Sequence, residues 1–167
     1  MSAPTFTVFE RNGASTGTLT ASVPTIAYAA VDTASTSALS AANAIAQSAN
    51  SYEKYNGLQV ATVATTTISA LTAFFSPTAP TDSAATALPV KYAATATYTQ
   101  PVATASTVAT LATTSNTSAP GVTMTAPANT VGSNSSYLVT QVQVGAAAAG
   151  GPAVFVATFE NYAYTWS

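Results

Sequence analysis

The chain predicts an all-β protein: an antiparallel β-sandwich, jelly-roll or immunoglobulin-like, with at most one short helix near residues 37–48. Three observations lead there. Short segments alternate apolar and polar residues with period two, the pattern of a half-buried strand. Thr and Val dominate those segments, and their branched Cβ atoms suit a pleated surface and crowd a helix. Turn signals separate the segments at a spacing that fits about eight strands in two layers. The 167 residues most simply make one domain, 1–167, with a core large enough to need no staples.

The first strand is Thr5-Phe6-Thr7-Val8-Phe9-Glu10, and Asn12-Gly13 turns the chain after it. Gly17 to Ser22 and Thr25 to Val31 follow, divided by Val23-Pro24. Asn56-Gly57 precedes Leu58-Gln59-Val60-Ala61-Thr62-Val63, and Ile68 to Phe75 ends before Ser76-Pro77 and Ala79-Pro80. Val90 to Thr99, with Tyr92 and Tyr98, stops at Gln100-Pro101. Val122-Thr123-Met124-Thr125 is short and follows Pro120-Gly121. In Tyr137 to Val144, Leu138, Thr140, Val142 and Val144 alternate against Tyr137, Val139, Gln141 and Gln143. After Gly150-Gly151-Pro152, Ala153 to Trp166 reads as one long strand. It sets Phe155, Ala157 and Phe159 on one side, and Val154, Val156, Tyr162, Tyr164 and Trp166 on the other.

Thr33 to Ser51 departs from the pattern. It is rich in Ala and Ser, and Leu39, Ala42, Ile45 and Ala46 fall near helical spacing. A short helix capped by Ser37 and an ordered excursion lying on the sandwich both fit, because Ser is a weak helix former and the apolar face is thin. Ala103 to Ala119, rich in Thr, Ser and Ala, includes a loop. No repeat of fixed period is present.

Charge is the strongest compositional signal. Eight residues carry it: Glu10, Arg11, Asp32, Glu53, Lys54, Asp82, Lys91 and Glu160, or 5% of the chain. A soluble domain usually carries about 25%. With no His and no Cys, the commonest general base, metal ligand and thiolate are gone, and the redox compartment stays open. A Ser–His dyad is impossible. Lys54 and Lys91 are the candidate amine bases, but a catalytic lysine needs a desolvated pocket, and a solvated or ion-paired role is the plain reading. The five carboxylates lie far apart in sequence. A fold could join Glu10 to Glu160 as a glycosidase pair, but places at sheet ends, or a pairing with Arg11, are the ordinary alternative. No calcium loop, dinucleotide fingerprint or P-loop pattern occurs. We therefore expect no catalytic residues, no metal and no cofactor.

Three scattered cations cannot release the counterions that nucleic-acid binding displaces, so no nucleic-acid partner is expected. The 48% apolar content is inflated by Ala, with no run long enough to span a membrane, so no membrane partner is expected. Met1-Ser2-Ala3-Pro4-Thr5 lacks a basic and an apolar signal region, so the chain reads as complete and made in the cytoplasm. Asn116-Thr117-Ser118 and Asn134-Ser135-Ser136 match the glycosylation pattern, as chance allows in a Ser/Thr-rich chain. The candidate interaction residues are Tyr52, Glu53, Lys54 and Tyr55, the most polar local patch. Tyr there offers contact area at low entropy cost, or its rings close the end of the core. The aromatic tail fits core packing better than a sugar platform.

Bare strand edges template aggregation, and proteins blunt them with charge, Pro or cover. This chain has little charge to place there, so Pro, loops or another subunit must shield them. That points to an assembly in which repeated weak contacts gain avidity.

In style and order the chain resembles β-sandwich virion proteins of tailed bacteriophages, capsid decoration (cement) proteins in particular. The carrying residues are Phe6-Thr7-Val8-Phe9-Glu10, Ser51-Tyr52-Glu53-Lys54-Tyr55 leading into Leu58-Gln59-Val60, Ile68-Ser69-Ala70-Leu71, Tyr92 to Pro101, Tyr137 to Val144, and Phe155 to Tyr164. They span most of the chain. Thr33 to Asn50 departs from the likeness. The resemblance implies a non-enzymatic virion structural protein, synthesised in a host cytoplasm and placed on the capsid surface. It implies the major capsid protein lattice as partner, and a homo-oligomer, with a trimer at a local three-fold position favoured. A fibre, pilus or surface-layer-type subunit or adhesin is the alternative, although the missing signal segment weighs against it. A carbohydrate-binding module or small hydrolase is a third reading.

Overall fold

The computed structural model describes residues 2–63, 67–75, 88–113, 121–148, 155–157 and 160–166. Their strands are β1 (Thr5–Asn12), β2 (Thr18–Thr20), β3 (Ile26–Tyr28), β4 (Lys54–Thr62), β5 (Ile68–Phe75) and β6 (Val90–Thr95). Then come β7 (Leu111–Thr113), β8 (Val122–Met124), β9 (Tyr137–Val142), β10 (Phe155–Ala157) and β11 (Glu160–Trp166). The fold is an all-β antiparallel sandwich. One sheet has six strands in the order β2-β1-β4-β9-β6-β7, a second has three in the order β11-β5-β8, and β10 pairs with β3 as a ribbon. Every pairing is antiparallel.

Period two decides where the core sits. Leu58, Leu138, Val142, Val90 and Tyr92 of the large sheet meet Leu71, Ala73 and Met124 of the small one, joined by Ile26 and Tyr28 of the ribbon. Phe6 reaches across to Tyr164 with ring centroids 4.6 Å apart, edge to face. The opposite face of the large sheet is covered too. Residues 96–110, between β6 and β7, lay Tyr98, Val108 and Ala109 over Tyr55, Tyr137 and Val139.

The helix reading of residues 37–48 gives way to a single 3₁₀ turn, Ala41–Asn43, within an irregular excursion. Its cap is Ser40, whose backbone N–H donates to Asn43 Oδ1 at 3.0 Å, and not Ser37. Of the four apolar residues at helical spacing only Ile45 is buried, too thin a stripe to hold a short helix.

Three further expectations are corrected. Ala153 to Trp166 is not one strand: β10 pairs with β3 and β11 with β5, so the chain changes sheet between them. Phe159 lies outside the described residues. β4 begins at Lys54 rather than Leu58, because its polar first residues are paired inside the protein. β6 ends at Thr95, not Thr99, and pairs with β7, which lies within the stretch expected to include a loop.

Candidate functional site

The patch singled out in the sequence is interior. Glu53, Lys54 and Tyr55 are 2%, 1% and 0% exposed, and only Tyr52 is part-exposed. Alternation along β4 sends neighbours to opposite faces, so the four residues share no surface. Lys54, Glu53 and Tyr55 instead each anchor a different cluster.

The first cluster lies at one end of the inter-sheet core. Lys54 Nζ donates to Glu10 Oε1 at 2.7 Å and to the Thr33 carbonyl at 2.6 Å. Glu10 is 0% exposed, so this ion pair is fully out of water. Asn12, on the same side of β1 two residues on, donates Nδ2 to the same Glu10 oxygen at 2.8 Å, to Thr33 O at 3.2 Å and to Asp32 Oδ1 at 3.3 Å. The other Glu10 oxygen accepts from Ser35 N–H at 3.0 Å. Asp32 Oδ2 accepts from Gly13 N–H at 2.9 Å. Thr140, opposite Lys54 on β9, accepts from Tyr28 O–H at 2.7 Å. Asn12 Oδ1 is buried and accepts no bond from any described residue. An open cleft of about 280 Å³ adjoins the cluster, lined by Asn12, Asp32, Thr33, Thr18 and Thr20 among others.

The second cluster lies on the covered outer face. Glu53 accepts from Ser106 O–H in a short bond and from Val102 N–H at 3.2 Å. Ser106 Oγ in turn accepts from Ala109 N–H at 2.7 Å and Val108 N–H at 3.1 Å. Gln141 Oε1 accepts from Ser106 N–H at 2.9 Å, and its Nε2 donates to the carbonyls of Ser51, Thr104 and Val102. The carboxylate is thus satisfied by neutral donors, and the cluster clamps residues 96–110 to the sheet.

The third is aromatic. Arg11 does not pair with Glu10. Its guanidinium sits 5.7 Å from the Tyr98 ring and 5.8 Å from the Tyr137 ring, and donates to Thr16 O at 2.9 Å. Tyr55 packs edge to face on both tyrosines. Tyr98 O–H donates to Gly13 O. Burial pushes the Tyr98 phenol well above the usual tyrosine range; the Asp32 charge raises it further and Arg11 opposes. Burial likewise raises Tyr55, against the lowering bond with Thr99.

Chemically, Lys54 is the desolvated lysine for which the sequence showed no pocket, and its partner is a carboxylate. Glu10 and Glu53 lie on opposite faces of the large sheet, so they form no glycosidase pair. The Glu160 side chain lies outside the described residues. Among the described residues no group of three or more potential metal ligands gathers, and no helix is long and apolar enough to cross a membrane. Of the aromatic tail, Tyr162 and Tyr164 pack on the core while Trp166 is 41% exposed. Sequence reasoning missed Asn12, Ser106 and Gln141. Asn12 carries the turn-forming Asn-Gly signature, and nothing local marks the other two. No known protein family, no curated protein and no solved structure matches the chain.

Proposed function

We propose that this protein is a non-enzymatic structural subunit of a virion, a capsid decoration (cement) protein that binds the outer lattice of a preformed shell and stabilises it. One observation supports the reading most. Among the described residues, charge is largely withdrawn from the surface. Glu10, Glu53 and Lys54 are buried, and Arg11, Asp32 and Lys91 are half-buried, so no described charged side chain is fully exposed. The surface is left to hydroxyls, amides and methyls. Such a surface gains little from solvent and nothing from charge repulsion, and suits permanent cover by neighbours. Repeated copies on a lattice turn weak contacts into firm attachment.

The test is co-sedimentation of the purified protein with undecorated shells of the virus that encodes it. Binding that survives about 1 M NaCl, where the Debye length is about 3 Å, fits contacts made without charge. Release at moderate salt, or no binding, refutes the reading.

A further inference from the structure

Three side chains of the first cluster stand in an arrangement that its packing role does not require. We propose that Lys54, Asn12 and Glu10 form an autocatalytic cross-linking site, in which Lys54 Nζ displaces ammonia from the Asn12 side-chain amide to leave a covalent bond between β1 and β4. This goes beyond the assembly role and stands whether or not the protein decorates a capsid.

The register supplies the juxtaposition. Glu10 pairs with Asn56 and Arg11 with Tyr55, so Asn12 stands opposite Lys54 on the neighbouring strand. The two side chains point to the same face, as directly opposed residues of an antiparallel pair do. Their nitrogens share two acceptors. Glu10 Oε1 takes Nζ at 2.7 Å and Nδ2 at 2.8 Å, and Thr33 O takes them at 2.6 Å and 3.2 Å. Nucleophile, amide and proton carrier are therefore already gathered, which is the entropic part of such a reaction. All three are nine-tenths buried or more, so water does not compete with the amine.

The chemistry balances without a co-reactant. Nζ passes one proton to Glu10 Oε1, which turns two buried charges into two neutral groups. The free amine attacks Asn12 Cγ, and negative charge builds on Oδ1. That oxygen is buried and takes no hydrogen bond from any described residue, and the Glu10 oxygen that holds the proton sits on the other side of the amide, 2.8 Å from Nδ2. Glu10 then gives its proton to Nδ2 and takes one from Nζ. The Cγ–Nδ2 bond breaks, ammonia departs, and it leaves with the Glu10 proton as ammonium. Lys54 and Asn12 become one secondary amide and Glu10 is again a carboxylate. Asn12 and Asp32 line the open cleft, which gives ammonium an exit past a carboxylate.

Mass spectrometry of the full chain provides the test. The matured protein is expected about 17 Da below its sequence mass, one ammonia lost to an amine nucleophile. Trypsin in denaturant adds the specific readout. An acylated Lys54 is not cut, so peptide 12–54 should vanish and peptide 12–91 appear in its place, lighter by the same ammonia. Glu10→Gln, which cannot carry the proton, should keep full mass and release peptide 12–54. A wild-type chain that keeps full mass and yields peptide 12–54 after long warm incubation overturns the proposal. So does ammonia loss with Lys54 still cleaved, which marks closure of an imide at Asn12-Gly13 instead. A Glu10→Gln protein that cross-links overturns the role of Glu10. If that variant fails to fold, the wild-type tryptic pattern is sufficient by itself to tell a cross-linked chain from an open one.

Discussion

Arg11 shows how this chain spends a scarce cation. Its Nε is buried with no partner among the described residues, and the rings of Tyr98 and Tyr137 supply the compensating negative faces. Arg11→Met keeps the stem and loses the charge. It should lower stability by about 1–2 kcal/mol, the scale of a desolvated cation–π contact, and urea denaturation measures it. Nearby, Tyr98 and Tyr55 resist ionisation because they are buried. A tyrosine raised when folded keeps its proton where the unfolded chain releases it. The stabilisation is whole below the unfolded value of about 10 and is lost as pH climbs toward the folded ones. The unfolding midpoint should be level from neutral pH to about 9 and fall beyond about 10, with tyrosinate absorbance appearing late. A midpoint unmoved to about pH 12 contradicts this. Gly121 makes a different demand: a Cβ there would lie 1.8 Å from the Ala73 carbonyl oxygen of β5. Gly121→Ala must push β8 off its neighbour, and a loss of about 1–3 kcal/mol is expected by thermal melting.

At the scale of elements, legibility followed the punctuation. β5 matches its sequence-derived bounds, and β1 starts where expected, because branched and aromatic residues fill both segments and Pro4 or Pro77 marks a boundary. The boundary between β10 and β11 carries neither Gly nor Pro, and alternation is blind to a change of sheet. Lys54 and Glu53, at the entry to β4, look like surface in the sequence because charge usually means solvent. Their partners, Glu10 and Ser106, lie 44 and 53 residues away, and only register brings them close. The same holds for Asn12, whose facing residue appears once β1 and β4 are aligned. Residues 96–110 are illegible for another reason: Glu53, Ser106 and Gln141 hold them down together with apolar contacts of Tyr98, Val108 and Ala109 that follow no regular period. Ser106→Ala should therefore leave the Glu53 carboxylate short of a donor and cost about 1–3 kcal/mol. Hydrogen exchange should speed at Ser106 and Ala109, whose amides end on Gln141 and Ser106. The β4–β9 ladder should stay protected, since its own bonds are untouched.

At the scale of the molecule, Glu10, Glu53 and Lys54 lie inside the sandwich and no described charged side chain is fully exposed, a departure from the usual partition. Exposed apolar side chains do not explain the association we infer. Val63, Val102, Val131 and Trp166 stand 45%, 39%, 63% and 41% exposed, and single exposed hydrophobes are ordinary. What is missing is the charge that keeps neighbours apart. A lysine restores it, and its position makes it a probe of the contact face. Val131→Lys and Val102→Lys place one cation each on different loops, the second where the backbone amide of residue 102 meets Glu53. At positions left open in the assembly, a lysine should raise solubility and leave shell binding unchanged. On the contact face it must be desolvated without a partner, and binding should fall by roughly a hundredfold or more. Because the surface offers so few anions to pair with, high salt should not restore that loss. Recovery of binding in about 1 M NaCl would mean that long-range repulsion, rather than burial of the new charge, had opposed docking.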